Sequence, residues 1–383
     1  MKKLRVVQLT TDNRWPYQQY DKPAPWFGAA PEALLSGFAA FPDEVDIHVV
    51  STIRQPVKSP AKLADNIWFH SVHVPKIGWM RTAYAGCIWK TRQYLKTLQP
   101  DLVHGQGTEM DAAICASLSG YPNVITLLGV MKEMVRVLNS RPGNYYWLAS
   151  QLESFALRRS LGVLANSRFT EEKVQGRTPK TWLVANAVRD KFFDTPLPDS
   201  RPGKCILINA GTVCTYKRQN ELIDVTDRLH AEGLPFELHF LGAATNANAY
   251  GAKFLSRVKN SSYLFHHGHK NIDEFIRTVD GATAIVHVSA IESFGLVVAE
   301  SLSRNLKFIG FNTAGVADIV EGVEGAESLR DGDWSGLKQS LAAWIRAGHP
   351  RPTTAAATMK QRFHPREIAR QHLEVYREVL GRK

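Results

Sequence analysis

Two carboxylates lie near a turn that joins a strand to a helix in the C-terminal half of the chain. The apolar, β-branched run Ala284–Val288 is typical of a buried parallel strand. A short loop containing Gly295 follows, and a helical pattern then continues to about Asn305. Backbone N–H groups and the helix dipole make such a turn an anion site. Glu292 lies in the loop and Glu300 lies in the helix, one on each side of that site.

Carboxylates repel a bare phosphate, but they accept hydrogen bonds from hydroxyl groups. Two of them flanking a diphosphate would suit the two sugars on either side of it, so the segment predicts a nucleotide-sugar ligand. The alternative is that Glu292 and Glu300 are solvated charges near a helix start, where acidic residues are favoured in any protein.

The spacing Glu292-x7-Glu300, with S-F-G-L after the first Glu, resembles the E-x7-E motif of retaining family-4 glycosyltransferases. The resemblance implies that Glu292 contacts the transferred sugar, that the following backbone amides contact the diphosphate, and that Glu300 holds the ribose. The donor-binding residues that it implies are Gly211, Thr212, Lys217, Arg218, His267, Gly268, Glu292, Ser293, Phe294, Gly295, Leu296 and Glu300.

A glycine turn and two cations precede a second helical pattern. Gly211 and Thr212 follow an apolar strand, and Lys217 and Arg218 stand directly before the helix that begins at Gln219. This arrangement resembles the G-R-x4-K segment of the same family, with Lys217 in the place of the lysine and Thr212 in the place of the arginine. Cations at a helix start are unfavourable for the dipole unless an anion binds there, which favours a phosphate contact.

No metal or other cofactor is expected. The histidines around His267 and Gly268 occupy the place where relatives hold the nucleobase, and no carboxylate stands at ligand spacing from them. The chain also lacks a D-x-D pair that would bridge a metal to a diphosphate. We therefore expect transfer without a divalent ion. The family resemblance implies retention of the anomeric configuration, with Glu292 and Lys217 as catalytic residues.

The N-terminal half offers candidate acceptor-side residues. Strand Leu4–Leu9 ends in polar residues that include Asp12, and a long insert rich in proline and aromatic residues continues to Gly28. A later strand ends at His104, close to Glu109. Ligands of open parallel sheets bind beyond such strand ends. His104 is a catalytic candidate with a structural alternative, and Asp12, Gly28 and Glu109 are expected on the acceptor side.

One family feature of this half is absent. Relatives commonly place a histidine near the end of the strand Val124–Leu128, where it contacts the donor sugar, and this chain has Leu128-Gly129 there. No G-x-G-x-x-G follows the first strand, which counts against a nicotinamide or flavin dehydrogenase.

Composition limits the partners. The net charge of +11 is distributed along the chain without a basic block, so an anionic membrane surface and a phosphorylated substrate explain it better than nucleic acid.

The amphipathic pattern Thr82–Leu98, with Trp89 and nearby Trp79, predicts either a core helix with a basic edge or a surface that rests on anionic lipid headgroups. Four scattered cysteines fit a reducing cytoplasm, and neither an export signal nor a membrane-spanning run is recognised.

Alternating β and α patterns over 383 residues predict an α/β protein with two Rossmann-like, doubly wound parallel sheets facing a cleft, the GT-B fold. We expect domains at 1–190 and 203–360, a proline-rich linker at 195–204, and a C-terminal helix at 361–383 that crosses back to the first domain.

The predicted function is transfer of a sugar, of hexose type, from a nucleotide-diphosphate donor to a glycan or lipid-linked acceptor. Cell-surface polysaccharide or glycolipid synthesis is the expected setting, in the cytoplasm or at the inner face of the membrane. A nucleotide-sugar 2-epimerase and an inactive nucleotide-sugar-binding subunit are the alternatives.

Overall fold

The computed structural model describes residues 3–198 and 203–381. The described chain divides into two compact units. Unit 1 contains the described residues up to Arg189 and again from Phe363 onward, and unit 2 runs from Asp190 to Arg362. The middle of the predicted linker lies outside the described residues.

Unit 1 alternates strands and helices along most of its length. Its elements up to Arg189 are β1 (Leu4–Leu9), α1 (Ala29–Ala39), β2 (Val45–Ile53), β3 (Lys62–Ala64), β4 (Ile67–His73), α2 (Ala85–Leu98), β5 (Leu102–Gln106), α3 (Ala112–Ser117), β6 (Asn123–Leu127), α4 (Met131–Val137), α5 (Tyr145–Arg159), β7 (Val163–Ala165), α6 (Arg168–Val174) and β8 (Thr181–Leu183). The eight strands pair in the order β3-β4-β2-β1-β5-β6-β7-β8. All neighbours are parallel except β3, which pairs antiparallel with β4. Neither β3 nor β4 was predicted.

Unit 2 repeats the architecture. It contains α7 (Lys191–Asp194), β9 (Ile206–Ala210), α8 (Gln219–Ala231), β10 (Glu237–Leu241), α9 (Ala249–Lys259), β11 (Leu264–His266), α10 (Ile272–Asp280), β12 (Ala284–His287), α11 (Leu296–Leu302), β13 (Lys307–Phe311), α12 (Val316–Val320), β14 (Ala326–Leu329), α13 (Trp334–Arg346) and, across the boundary, α14 (Ala355–Phe363). Its six strands are all parallel, in the order β11-β10-β9-β12-β13-β14. The prediction of two doubly wound α/β sheets is confirmed.

Helix α15 (Pro365–Val379) completes unit 1. Its apolar face, which includes Leu373 and Tyr376, joins the core formed by α1 and the sheet. The approach to α1 is so close that a Cβ atom on Gly37 would collide with the backbone of Pro365, so this crossing requires glycine. The last helix therefore belongs structurally with the first residues of the chain.

Strand β1 shows how each sheet is covered on both faces. Leu4 and Val6 lie in one apolar cluster with α1 and α15, whereas Val7 and Leu9 lie in another with α2 and α3. Strands that are buried on both faces read as continuous apolar runs, which is why their sequences predicted them well. In the described part of the chain, every helix is too short or too polar to cross a bilayer.

Candidate functional site

The strand order of unit 2 reverses between β9 and β12, and ligands of doubly wound sheets bind at such a switch point. The loop after β9 carries Lys217, and the loop after β12 carries Glu292. Backbone hydrogen bonds join these loops: Ala290 N–H donates to Tyr216 O at 2.7 Å, and Gly315 N–H donates to Glu292 O at 2.9 Å. Three loops are thus held together at the carboxyl edge of the sheet.

Lys217 and Glu292 form an ion pair at this point, with side chains only 16% and 22% exposed. Burial alone would raise the pKa of the Glu292 carboxyl, but the Lys217 ammonium and the His287 ring together outweigh it and lower that pKa. Glu292 is therefore ionised at neutral pH. The structure brings together two of the predicted catalytic residues, which are far apart in sequence.

His287 is a site residue that the sequence analysis missed. It ends β12, is 1% exposed, and has its Nε2 atom 3.7 Å from Oε2 of Glu292. Burial first, and then the Lys217 charge, lower its pKa to about 4, with Glu292 acting in the opposite direction. The ring is therefore neutral at physiological pH. The available signal was a single polar residue inside the apolar run Ala284–Val288.

The turn into α11 has the geometry expected of a backbone anion site. Gly295 has φ +106° and directly precedes the helix, a left-handed conformation that other residues adopt with strain. A Cβ atom there would also lie 3.0 Å from the Val316 side chain. Phe294 is buried beneath the turn at 3% exposure. The helix ends at Leu302, before the predicted Asn305, because the chain turns there.

The remaining motif residues lie around this turn. Ser293 is partly exposed and Leu296 opens α11. Glu300 is on the same helix and only 3% exposed, so its carboxyl is reached through a narrow opening or not at all in this conformation. Its predicted contact with ribose stays a prediction.

The cations behave differently from one another. Arg218 forms an ion pair with Asp331 at 2.5 Å, whereas Lys217 lies over Gly211, with its Cδ 3.6 Å from the position of a Cβ there. Thr212 is exposed and carries no charge. Lys217 and Arg218 are therefore each paired with a carboxylate, and Lys217 is the one whose side chain lies over the glycine turn.

The histidine loop after β11 makes structural contacts. His267 Nε2 lies 3.1 Å from His239 Nδ1, and burial, followed by His239, lowers the pKa of His267. Gly268 accepts a backbone hydrogen bond from Gly242 N–H at 2.8 Å. Within residues 3–198 and 203–381, His, Cys, Asp and Glu side chains form no cluster of three suited to a metal ion.

Asp12, predicted on the acceptor side, is completely buried in an ion pair with Arg14 at 2.7 Å. Arg14 also donates to the carbonyl oxygens of Lys22 and Lys58. The carboxylate therefore anchors the insert after β1 and has no exposed face toward a ligand. Gly28, at the end of the insert, is exposed and precedes α1.

His104 lies in the core of unit 1 and not in the crevice where the sequence analysis expected it. It is fully buried, with Nδ1 2.6 Å from the Tyr376 hydroxyl and Nε2 2.7 Å from the Thr126 hydroxyl. Burial first, and then His372, hold its pKa well below the ordinary value. Both ring nitrogens are occupied, so this histidine ties β5 to α15.

Glu109 is better placed for an acceptor. Its carboxylate lies between Gly107 and Gly129, at the carboxyl ends of β5 and β6, and its residue keeps partial exposure. Burial raises its pKa to about 7, against backbone hydrogen bonds that lower it. The Tyr145 hydroxyl donates to Glu109 O at 2.5 Å and fixes the loop. The Glu109 carboxyl therefore changes its protonation state near neutral pH.

Trp79 corrects the predicted lipid-facing surface. It is 2% exposed, and its indole N–H donates to Val74 O at 3.1 Å. Trp89, in contrast, is 57% exposed on α2, with the Lys90 ammonium 5.0 Å from its ring centroid. The aromatic residue that remains on the outer face of the predicted basic surface is therefore Trp89.

Two family models match adjacent parts of the chain. Residues 192–358 match glycosyl transferases group 1, and residues 33–191 match glycosyltransferase family 4. A search of curated proteins finds no match.

Solved structures share the fold over almost the whole chain. Sucrose-phosphate synthase from Thermosynechococcus elongatus superposes with a TM-score of 0.76 at 15% identity, covering 99% of this chain and 100% of its own. HepE from Anabaena, in complex with UDP and glucose, gives 0.71 at 16% identity, covering 97% and 99%. The lipopolysaccharide outer core galactosyltransferase WaaB gives 0.69 at 14% identity, covering 98% and 100%. At these identities the superpositions show the fold alone.

Proposed function

From the place among the GT-B glycosyltransferases that its two family matches support, we propose that this chain transfers a sugar from a nucleotide-diphosphate donor to an acceptor hydroxyl with retention of configuration. The observation that carries the proposal is the Lys217–Glu292 pair at the switch point of unit 2. It sets a cation beside an ionised carboxylate at the edge where such sheets bind ligands.

The two charges suit the two parts of a nucleotide-sugar. Lys217 can leave Glu292 for the diphosphate, because a phosphate oxygen offers an equally charged hydrogen-bond acceptor. Glu292 then accepts hydrogen bonds from hydroxyl groups of the transferred sugar. The turn at Gly295 supplies backbone N–H groups and the positive end of α11 to the same diphosphate. Glu300, deeper along α11, is the proposed ribose contact.

Retention is implied by the resemblance to retaining family-4 glycosyltransferases, and the groups of this site suit it. The bond between the anomeric carbon and the phosphate oxygen breaks, and the acceptor oxygen bonds to that carbon on the same face. The acceptor's proton passes to the departing phosphate oxygen. Lys217 and the turn at Gly295 stabilise the negative charge that the diphosphate gains, while Glu292 is committed to orienting the sugar and is not the attacking group.

Two structurally similar proteins suggest which nucleotide-sugar and which kind of acceptor to test first. HepE is described with UDP-glucose, and this supports a UDP-sugar as the first donor to test. WaaB is described as a lipopolysaccharide galactosyltransferase, which supports a glycan or lipid-linked acceptor in cell-surface synthesis. Glu109, with its partly exposed carboxyl, is the proposed hydroxyl contact on the acceptor side.

An inactive nucleotide-sugar-binding subunit is the second candidate. Thr212 offers no charge where the family has an arginine, and Arg218 is paired with Asp331, so a single lysine faces the diphosphate. Donor binding without turnover on any acceptor would favour this candidate.

Product analysis tests the proposed reaction. The anomeric configuration of the product is read by NMR, and activity is measured in excess chelator. We expect the linkage to keep the donor's configuration and the rate to be unaffected by chelation. An inverted linkage, or activity that is lost with chelator and restored by magnesium, would contradict the mechanism.

A further inference from the structure

Arg54 packs against two tryptophan rings in unit 1. Its guanidinium carbon lies 4.0 Å from the ring centroid of Trp15 and 4.9 Å from that of Trp79. The two rings pack edge to face with their centroids 5.0 Å apart, so they meet the guanidinium on adjacent sides. Cation–π contacts with both rings restrict the orientation of a side chain that is otherwise among the most flexible.

The three residues come from the loops after three neighbouring strands. Trp15 follows β1, Arg54 directly follows β2, and Trp79 follows β4, and these strands are adjacent in the sheet. Because the strands are parallel, the cluster lies at the carboxyl edge of the sheet, where doubly wound folds bind ligands. The buried Asp12–Arg14 pair anchors the segment that carries Trp15.

Two of the donors in this cluster have no acceptor. Nε of Arg54 and Nε1 of Trp15 are both buried, and within the described residues neither has a hydrogen-bond partner. Arg14, by comparison, bonds to Asp12 and to two backbone carbonyls. Asp111, a buried carboxyl on the same side, accepts a hydrogen bond from the Thr52 hydroxyl and forms no ion pair with Arg54.

An oriented guanidinium whose buried Nε–H has no acceptor is an incomplete arrangement. Buried donors in folded proteins are nearly always hydrogen-bonded, and leaving one unmade is destabilising. A guanidinium in a fixed plane matches the geometry of a phosphate or a carboxylate, which it can bind through two parallel hydrogen bonds.

We propose that Arg54, clamped by Trp15 and Trp79, binds an oxyanion of the acceptor, so that the acceptor is a phosphorylated or carboxylated sugar or its lipid-linked form. This inference deepens the proposed function and rests on it. The residues proposed for the donor all belong to unit 2, whereas Arg54 belongs to unit 1, beside the aromatic insert assigned to the acceptor. The excess of positive charge, +11 overall, favours an anionic substrate.

Calorimetric titration with three simple probes tests the site: glucose 6-phosphate, glucuronate and neutral glucose, at one ionic strength. We expect at least one anionic probe to bind about 10-fold or more tightly than glucose. Arg54→Gln should weaken that probe about 10- to 100-fold and leave glucose unchanged. Arg158→Gln, which removes an exposed arginine of the same unit, is the matched control and should change nothing.

The relative affinities of the two anionic probes identify the oxyanion as phosphate or carboxylate. Equal binding of all three probes, or an anionic preference that survives in Arg54→Gln, would overturn the inference. If Arg54→Gln does not fold, the Nε–Hε resonance of Arg54 in the wild-type protein is followed by NMR, assigned through Arg54→Lys. It must shift on addition of the preferred anionic probe and stay unchanged with glucose.

The donor site is kept separate by repeating the titrations in Lys217→Ala. The anionic preference must persist there, while binding of UDP must be weakened in Lys217→Ala and unchanged in Arg54→Gln. Normal UDP binding together with no Arg54-dependent preference would refute the acceptor site alone. UDP binding that is unaffected by Lys217→Ala would refute the placement of the donor without contradicting the acceptor site.

Discussion

Substitutions of Lys217 and of Glu292 should have different effects on the affinity for bare UDP. Lys217→Ala removes a charge-assisted hydrogen bond to the diphosphate, which contributes roughly 1.5–3 kcal/mol. Affinity for UDP should therefore fall by about 10- to 150-fold. Glu292→Gln removes the carboxylate that competes with the diphosphate for the Lys217 ammonium, so UDP should bind equally well or more tightly.

The size of that second effect follows from the environment of the pair. Both side chains are mostly shielded, at 16% and 22% exposure, but they reach solvent at the sheet edge. An ion pair in this position contributes on the order of 1 kcal/mol, so freeing Lys217 should tighten UDP binding by up to about 5-fold. Turnover should nevertheless fall about 100-fold, because the sugar is no longer oriented.

Calorimetry on the two single variants and the double variant tests this coupling. In the Lys217→Ala background, Glu292→Gln should have no effect on UDP, because no ammonium is left to release. Circular dichroism of each variant controls for misfolding. If Glu292→Gln weakens UDP binding as much as Lys217→Ala does, the carboxylate contacts the nucleotide itself and the assignment of roles is wrong.

Three further predictions concern other parts of the molecule. Glu300→Gln should weaken UDP binding about 10-fold by removing a charged acceptor for the ribose, as read by calorimetry. The free energy of unfolding should fall as pH is lowered from 6.5 toward 4, because His287 binds a proton in the unfolded chain but stays neutral when buried. Urea titrations of His287→Leu should show a dependence of the free energy of unfolding on pH that is smaller by close to one proton. Trp89→Ser should reduce flotation with anionic vesicles at low salt, where basic residues near a surface contribute about 1 kcal/mol each to membrane binding. Phe155, which is 45% exposed beside Arg159, is the control, and Phe155→Ser should not reduce flotation. Equal recovery with neutral and anionic vesicles would contradict the membrane contact.

The central strands could be predicted from sequence because their burial on both faces leaves an apolar run that needs no tertiary information. Strands β3, β4 and β14 escaped the prediction. β3 and β14 are short edge strands whose residues are exposed or half-buried, so their patterns resemble loops. In β4 the polar residues His70, Ser71 and His73 interrupt the apolar run. The pairing of Lys217 with Glu292 could have been predicted, since each residue follows an apolar strand and the two strands are neighbours at a switch point.

Buried polar groups were the part that sequence could not settle. Asp12 follows a strand and looks like a crevice residue, but Arg14 neutralises it completely. Trp79 stands among basic residues and suggests a lipid surface, yet Trp15 and Arg54 cover it. Both outcomes depend on contacts between loops of different strands, and no local pattern records them.

The pairing at the switch point also bears on how the product leaves. In the structure Lys217 and Glu292 form an ion pair. Under the proposed mechanism a complete donor would replace both halves of that pair, offering phosphate to the lysine and sugar hydroxyls to the carboxylate. After transfer the nucleoside diphosphate still offers phosphate, but the sugar hydroxyls have left with the acceptor. Glu292 is then ionised without a partner beside the neutral His287 ring, which is unfavourable in a shielded site. The pull of Glu292 on Lys217 therefore opposes the bound product more strongly than it opposes the bound donor, and the same ion pair that holds the site together favours release of the diphosphate.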